Sequence, residues 1–336
     1  MSVAPTADGD NNFNNVNTDT TSETANVTTT DTTGRMERFT HAFHLGARED
    51  SDDDEPNSEE EQLTILLDGY QPTDYYATNL KLTGQANWFG SLNMCHLMAA
   101  EYEQMFVNTH QNNICSVLEL GSGIGRAGIM AAKLLQLLVE RNGDKQKHTA
   151  HEGVASTTGV TATNIVLTDG EPMLVPILEH NCTLNELVRV DCELLRWGRN
   201  AELEAHMEKG TVFDVILGAD LIYGDREDVP KNVRNLFTTV CALLVNKTET
   251  SGDAVGKFYL AFTKRNTMSP ESLLEIAEEE FGLRGTMHHD DFCFDIWDNN
   301  VDPESVFWRD CIFVFERVKK KTEIAQKVDA DGGEVE

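Results

Sequence analysis

Residues 115–140 read CSVLELGSGIGRAGIMAAKLLQLLVE. A short apolar run of strand length, Cys115–Leu120, leads into Gly121-Ser122-Gly123-Ile124-Gly125, and an apolar-periodic helix follows. Strand, glycine loop and helix in that order open a nucleotide-binding βα unit. The glycines let the backbone turn sharply and leave no side chain between it and a ligand. The helix behind them points its first amides at whatever sits there. Gly123, Gly125 and Gly128 fit the dinucleotide fingerprint literally, but the strand stops at Leu120, so the loop starts one glycine earlier. In that register Glu119 is the strand's last acid. Arg126, the one basic residue of the loop, reads as solvent-facing.

Outward from this unit the pattern repeats. Asn164–Thr168 is a buried strand ending at Asp169, where a carboxylate can accept hydrogen bonds from both hydroxyls of a ribose. Between the two units, 141–163 is polar, rich in Gly, Thr and His, and reads as an inserted surface loop. Two acids and no phosphate-binding Lys or Arg favour a ligand without phosphate. A helix from Pro172 follows, then strands at Val188–Leu195 (before Trp197-Gly198), Phe213–Leu217 (before Gly218-Ala219-Asp220) and Lys257–Thr263. Helices are expected at Ser91–Phe106, Val233–Val245 and Pro270–Phe281. Further strands are expected at 64–70, 75–82, Asp291–Trp297 and Asp310–Val318. Strands alternating with helices, closed by a strand pair, predict an α/β fold with a mostly parallel sheet and helices on both faces.

Charge divides the chain. It carries 57 acids against 27 bases over 336 residues, a net −30. Residues 1–61 hold 15 acids and three bases in a Thr-, Asn- and Asp-rich context, and read as a disordered acidic leader. Residues 319–336 read as a flexible charged tail, and 62–318 as the folded domain. That middle part carries 37 acids against 20 bases, so nucleic acid is excluded as a main partner. No apolar run reaches the ~18–20 residues of a membrane span. Seven scattered cysteines without a CxxC pair predict reduced thiols in a cytoplasmic protein, with the nucleus as the other compartment.

Several short stretches together resemble one family. VLELGSGIGRAGI, Asp169, Trp197-Gly198 and Ala219-Asp220-Leu-Ile-Tyr223 are similar to class I (seven-β-strand) S-adenosylmethionine-dependent methyltransferases. The narrower resemblance is to the "family 16", METTL21-like protein-lysine methyltransferases. Its tryptophan corresponds to Trp88 in GQANWFGS, its Asp-x-x-Tyr to Asp220–Tyr223, and its Asn-x-x-x-Asn to Asn181 and Asn185. The chain departs from it at Phe89, where the family more often has Pro, Asp or Glu. The resemblance implies a Rossmann-like sheet of seven strands with a C-terminal antiparallel strand, and S-adenosyl-L-methionine as cofactor. It implies that Gly121, Ser122, Gly123 and Gly125 with Glu119 hold the methionine and ribose part, and that Asp169 binds the ribose. Trp197 lies by the adenine, Ala219 touches the cofactor and Trp88 closes over it. Asp220 and Tyr223 then aim the target nitrogen. The implied partner is a basic or lysine-bearing protein. A small-molecule (nicotinamide-type) N-methyltransferase and a non-catalytic cofactor-binding scaffold remain as alternatives.

No metal site is expected. His288-His289-Asp290 lacks partners at ligand spacing and reads as a solvated loop, as do His148 and His151. Six acids between Asp290 and Glu304 are read as a soluble rim beside the substrate mouth.

Overall fold

The computed structural model describes residues 36–46, 61–70, 83–107, 114–149, 162–246, 256–263, 267–288 and 310–318. Its centre is a seven-stranded sheet. The glycine unit supplies β3 (Ile114–Leu120) and helix α2 (Arg126–Thr149). After it come β4 (Ala162–Asp169), α3 (Val175–Leu184), β5 (Val190–Leu194), α4 (Ala201–Glu208), β6 (Val215–Ala219) and α5 (Val229–Leu243). The chain then forms β7 (Lys257–Thr263), α6 (Pro270–Glu275) with a π turn at Ile276–Glu280, β8 (Leu283–His288) and β9 (Asp310–Arg317). Before the unit lie β1 (Glu37–His44), β2 (Gln62–Gly69), a 3-10 turn at Thr83–Gln85 and α1 (Phe89–Phe106).

The sheet order is β5-β4-β3-β6-β7-β9-β8. The first five strands are parallel, and β9 runs antiparallel between β7 and β8. The chain builds outward from β3 to β5, then returns to lay β6 on the other side of β3. That reversal places a crevice at the carboxyl end of β3, where ligands of open α/β sheets bind. Both faces are covered, which is why these strands are apolar throughout rather than alternating. One cluster joins Val117, Leu167 and Leu217 to α1, α2 and α3. The other joins Leu118, Ile216 and Phe258 to α4, α5 and α6, with Phe237, Phe258 and Phe315 in mutual ring contact.

Three boundaries differ from the sequence reading. Glu37–His44 lies inside the stretch read as leader, yet it pairs antiparallel with β2 from Glu37↔Gly69 to His44↔Gln62. Phe39 and Phe43, four residues apart on one face, are buried against α1 and α2 with Ile65 and Leu67. The expected loop 141–163 begins with two more turns of α2, to Thr149, and ends inside β4. The strand beside β9 is Leu283–His288, formed after the shortened helix α6. The expected strands at 75–82 and 291–297, the acids of 290–304, the tail 319–336 and the leader at 1–35 and 47–60 lie outside the described residues.

Asn181 and Asn185, one turn apart on α3, explain how the hairpin is held. Asn181 accepts the Asp68 N–H (2.9 Å) and donates to Asp68 O (3.2 Å) and Ile124 O (2.8 Å). Asn185 accepts the Leu66 N–H (2.9 Å) and donates to Leu66 O (2.6 Å). Two side-chain amides thus take the place of a neighbouring strand along one edge of β2. Asp68 adds a two-pronged pair with Arg38 (2.8 and 2.9 Å) and a contact to His180 (2.8 Å). Replacing Asn185 by Ala strands a backbone N–H and C=O that folding has taken from water, at a cost of about 1–3 kcal/mol. The expected result is a lower urea midpoint with an unchanged denaturant slope in equilibrium unfolding.

Candidate functional site

The glycine loop is stitched to the end of β4. Ser122 N–H donates to Thr168 O (2.8 Å), Thr168 N–H to Ser122 Oγ (3.1 Å), and Thr168 Oγ1 to Glu119 O (2.7 Å). The next residue, Asp169, accepts the Gly123 N–H on Oδ2 and the Glu171 N–H on Oδ1, each at 3.0 Å. Burial raises the Asp169 carboxyl, and these amide donors oppose the rise. Gly121 and Gly123 take φ of +61° and +55°. A Cβ at Gly123 would stand 2.6 Å from Gly84 O in the 3-10 turn, and one at Gly121 would stand 2.7 Å from Leu221 Cδ2. Backbone alone fits there.

This turn forms the floor of a cavity of about 510 Å³, within the range of small-molecule sites. Trp88, the cap of α1, forms part of the wall, and Trp197, after β5, another. Glu119, Gly121, Ser122, Gly123 and Asp169 line the floor, and Ala219, Asp220 and Tyr223 line the side below β6. Ten of the eleven residues singled out by sequence therefore meet at one cavity. Gly125 does not line it: a Cβ there would meet Leu178 Cδ2 at 2.9 Å, so that glycine serves the packing of the loop on α3.

Asp220 follows the last residue of β6 with φ +59°, a left-handed conformation that Asp tolerates better than most residues. Its N–H donates to Ala261 O of β7 at 2.9 Å, which fixes the reversal. Asp220 is 9% exposed, whereas Tyr223, three residues on, is 46% exposed. A buried acid and an exposed aromatic thus line the same cavity.

Arg126 is the correction. It is 3% exposed rather than solvent-facing. Nη1 donates to Trp88 O (3.0 Å) and Nη2 to His41 Nε2 (3.3 Å), so β1 reaches the back of the site. Since a guanidinium only donates, His41 Nε2 is an acceptor and Nδ1 carries the proton. Burial, with the charges of Arg126 and His96, pushes the His41 imidazole down to about 3, so it stays neutral. Sequence reasoning also missed Gly84, Ala86, Ser91, Glu171, Leu174 and Arg196. Each lies within a few residues of a motif position, and that adjacency was the available signal. The expected solvated His288 instead ends β8 and meets Glu101 at 2.8 Å. Among the described residues no group of three His, Cys, Asp or Glu could hold a metal.

Strand order and the crevice at the end of β3 together define a Rossmann-like α/β fold. Within it, residues 149–277 match the model of a family described as lysine methyltransferase. That stretch holds Asp169, Trp197, Ala219, Asp220 and Tyr223 and begins after the glycine loop. No curated protein sequence matches the chain. Among solved structures it is similar to TrmN from Thermus thermophilus (14% identity, 61% of this chain and 44% of that one, TM-score 0.36). It is also similar to the CurJ carbon methyltransferase (10% identity, 68% and 54%, TM-score 0.40). A third is M. jannaschii TYW2 in complex with AdoMet (14% identity, 76% and 83%, TM-score 0.38). The chain spans about half the length of the first two, 44% and 54%.

Glu119 is 2% exposed, and burial raises its carboxyl from 4.5 to about 8 against the weaker opposing pull of hydrogen bonds from Ser122 and Gly128. The folded chain therefore keeps a proton there that the unfolded chain has released, and between these two values stability falls as pH rises. In the ligand-free protein, Glu119→Gln is expected to flatten that fall, read as the unfolding free energy from urea titrations at about pH 5.5 and about pH 8.

Proposed function

We propose that the chain is a protein-lysine N-methyltransferase in which Asp220 and Tyr223 position the incoming amine. The observation that carries this reading is the placement of Asp220: a buried acid held in a left-handed turn at the cavity wall, with the exposed Tyr223 lining the same cavity three residues on. The description of the matched family supports the same acceptor.

The residues present fit the cofactor. The backbone at Gly121 and Gly123 lines the cavity without side chains, Asp169 offers a carboxylate for the ribose hydroxyls, and Trp197 an aromatic face for the adenine. When bound, S-adenosylmethionine supplies a methyl group on a sulfonium, ready for in-line displacement. The protein contributes alignment and exclusion of water, which account for much of the acceleration of such a reaction. Asp220 attracts a lysine ammonium and accepts its hydrogen bond as the nitrogen is brought into line. Tyr223 offers a π face to the arriving cation and a hydroxyl to orient it. The acidic surface, net −17 over 62–318, attracts a basic protein segment.

The test is transfer from tritiated cofactor into a lysate prepared from cells lacking the protein, resolved on a gel. A labelled protein band is expected, and mass spectrometry should place the methyl on lysine. Asp220→Ala should lower the rate by about 100-fold or more while leaving S-adenosylhomocysteine affinity within about twofold, because the carboxylate acts on the amine rather than on the cofactor. Label confined to the small-molecule fraction, or near-normal turnover in the variant, overturns the reading.

A further inference from the structure

A buried cation without a counter-charge borders the cavity. Arg126, the first residue of α2, is 3% exposed and lines the site. Its two terminal nitrogens go to neutral acceptors, the Trp88 carbonyl and His41 Nε2. Its Nε finds no acceptor, and no carboxylate pairs with it, among the described residues. Burying a guanidinium is costly unless an anion answers it. Here burial outweighs every favourable contact and pulls the guanidinium down to about 10. The dipole at the start of α2 adds positive potential on the same side. On the other side of the glycine loop stands the buried acid Glu119. The loop is thus bracketed by an acid before it and a base after it, both facing one cavity. A ligand group carrying an ammonium and a carboxylate on neighbouring atoms complements that pair.

We propose that Arg126 is the anchor for the α-carboxylate of the cofactor's methionine moiety, with Glu119 receiving its α-ammonium. The proposal rests on the reading of S-adenosylmethionine as cofactor and goes beyond it in assigning the amino-acid end to this chain's own Arg126. It also gives the N-terminal hairpin a part in binding. Neutral His41 holds the guanidinium from behind, so β1 sets the direction of the fork. Arg126 becomes the residue that distinguishes the whole cofactor from fragments that lack the carboxylate.

The test is calorimetric titration of the full chain with S-adenosylhomocysteine and with its decarboxylated analogue. The first should bind about tenfold or more tightly than the second, as expected for a charge-assisted pair out of water. In Arg126→Gln that ratio should fall close to one, because S-adenosylhomocysteine weakens while the analogue does not. Arg126→Lys should keep part of the ratio, having the charge without the planar fork. Equal affinity of the two ligands for the unaltered chain overturns the proposal, and does so without a variant that must fold. So does a Gln variant that keeps the ratio, or one that weakens both ligands alike. If neither ligand binds the unaltered chain, the cofactor reading itself fails.

Discussion

Everything at the site hangs from one backbone turn. At Gly121 and Gly123 the chain leaves β3 in a left-handed conformation, with Gly84 O and Leu221 pressed where side chains would be. The turn is closed by Asp169, which accepts the Gly123 N–H from the neighbouring strand. Because that acceptor belongs to β4, the shape of the loop and the position of the β4 acid are a single fact. The same turn sets Glu119 at its start and Arg126 at its end. An acid and a base, an open backbone and the Asp169 carboxyl therefore arrive together once two adjacent parallel strands are in register.

The parts legible in sequence were those with local causes. The run from Cys115 into the glycines, the apolar strands buried on both faces and the amphipathic helix of Val233–Val240 carry their own signals. So did Asp169, Trp197 and Asp220, each marking the end of a strand. The missed parts have non-local causes. β1 is held by two phenylalanines and by partners in β2 from His44↔Gln62 to Glu37↔Gly69, and its acidic, Thr-rich surroundings mask the alternation. β8 is short and polar on one side and owes its existence to β9. Arg126 looked solvent-exposed because a single charge in a loop usually is. Its burial depends on a histidine 85 residues earlier and on the carbonyl of Trp88.

The same contrast applies to the asparagine pair. Asn181 and Asn185 were noted as part of a signature, and nothing in their spacing says what they touch. In the structure they serve as a fastening between α3 and an edge of β2. A pair of asparagines that carries part of the family resemblance thus turns out to be architectural here. It affects chemistry only through what it holds still.

Asn181 has a further consequence. One side-chain amide touches Asp68 in the hairpin and Ile124 in the glycine loop. The hairpin and the loop therefore share a fastener, and loosening either one gives up hydrogen bonds of the amide that also holds the other. In hydrogen-exchange terms the shared amide couples the opening of the two, although they are far apart in sequence. The N-terminal hairpin, which contributes no strand to the central sheet, is in this sense part of the floor of the site.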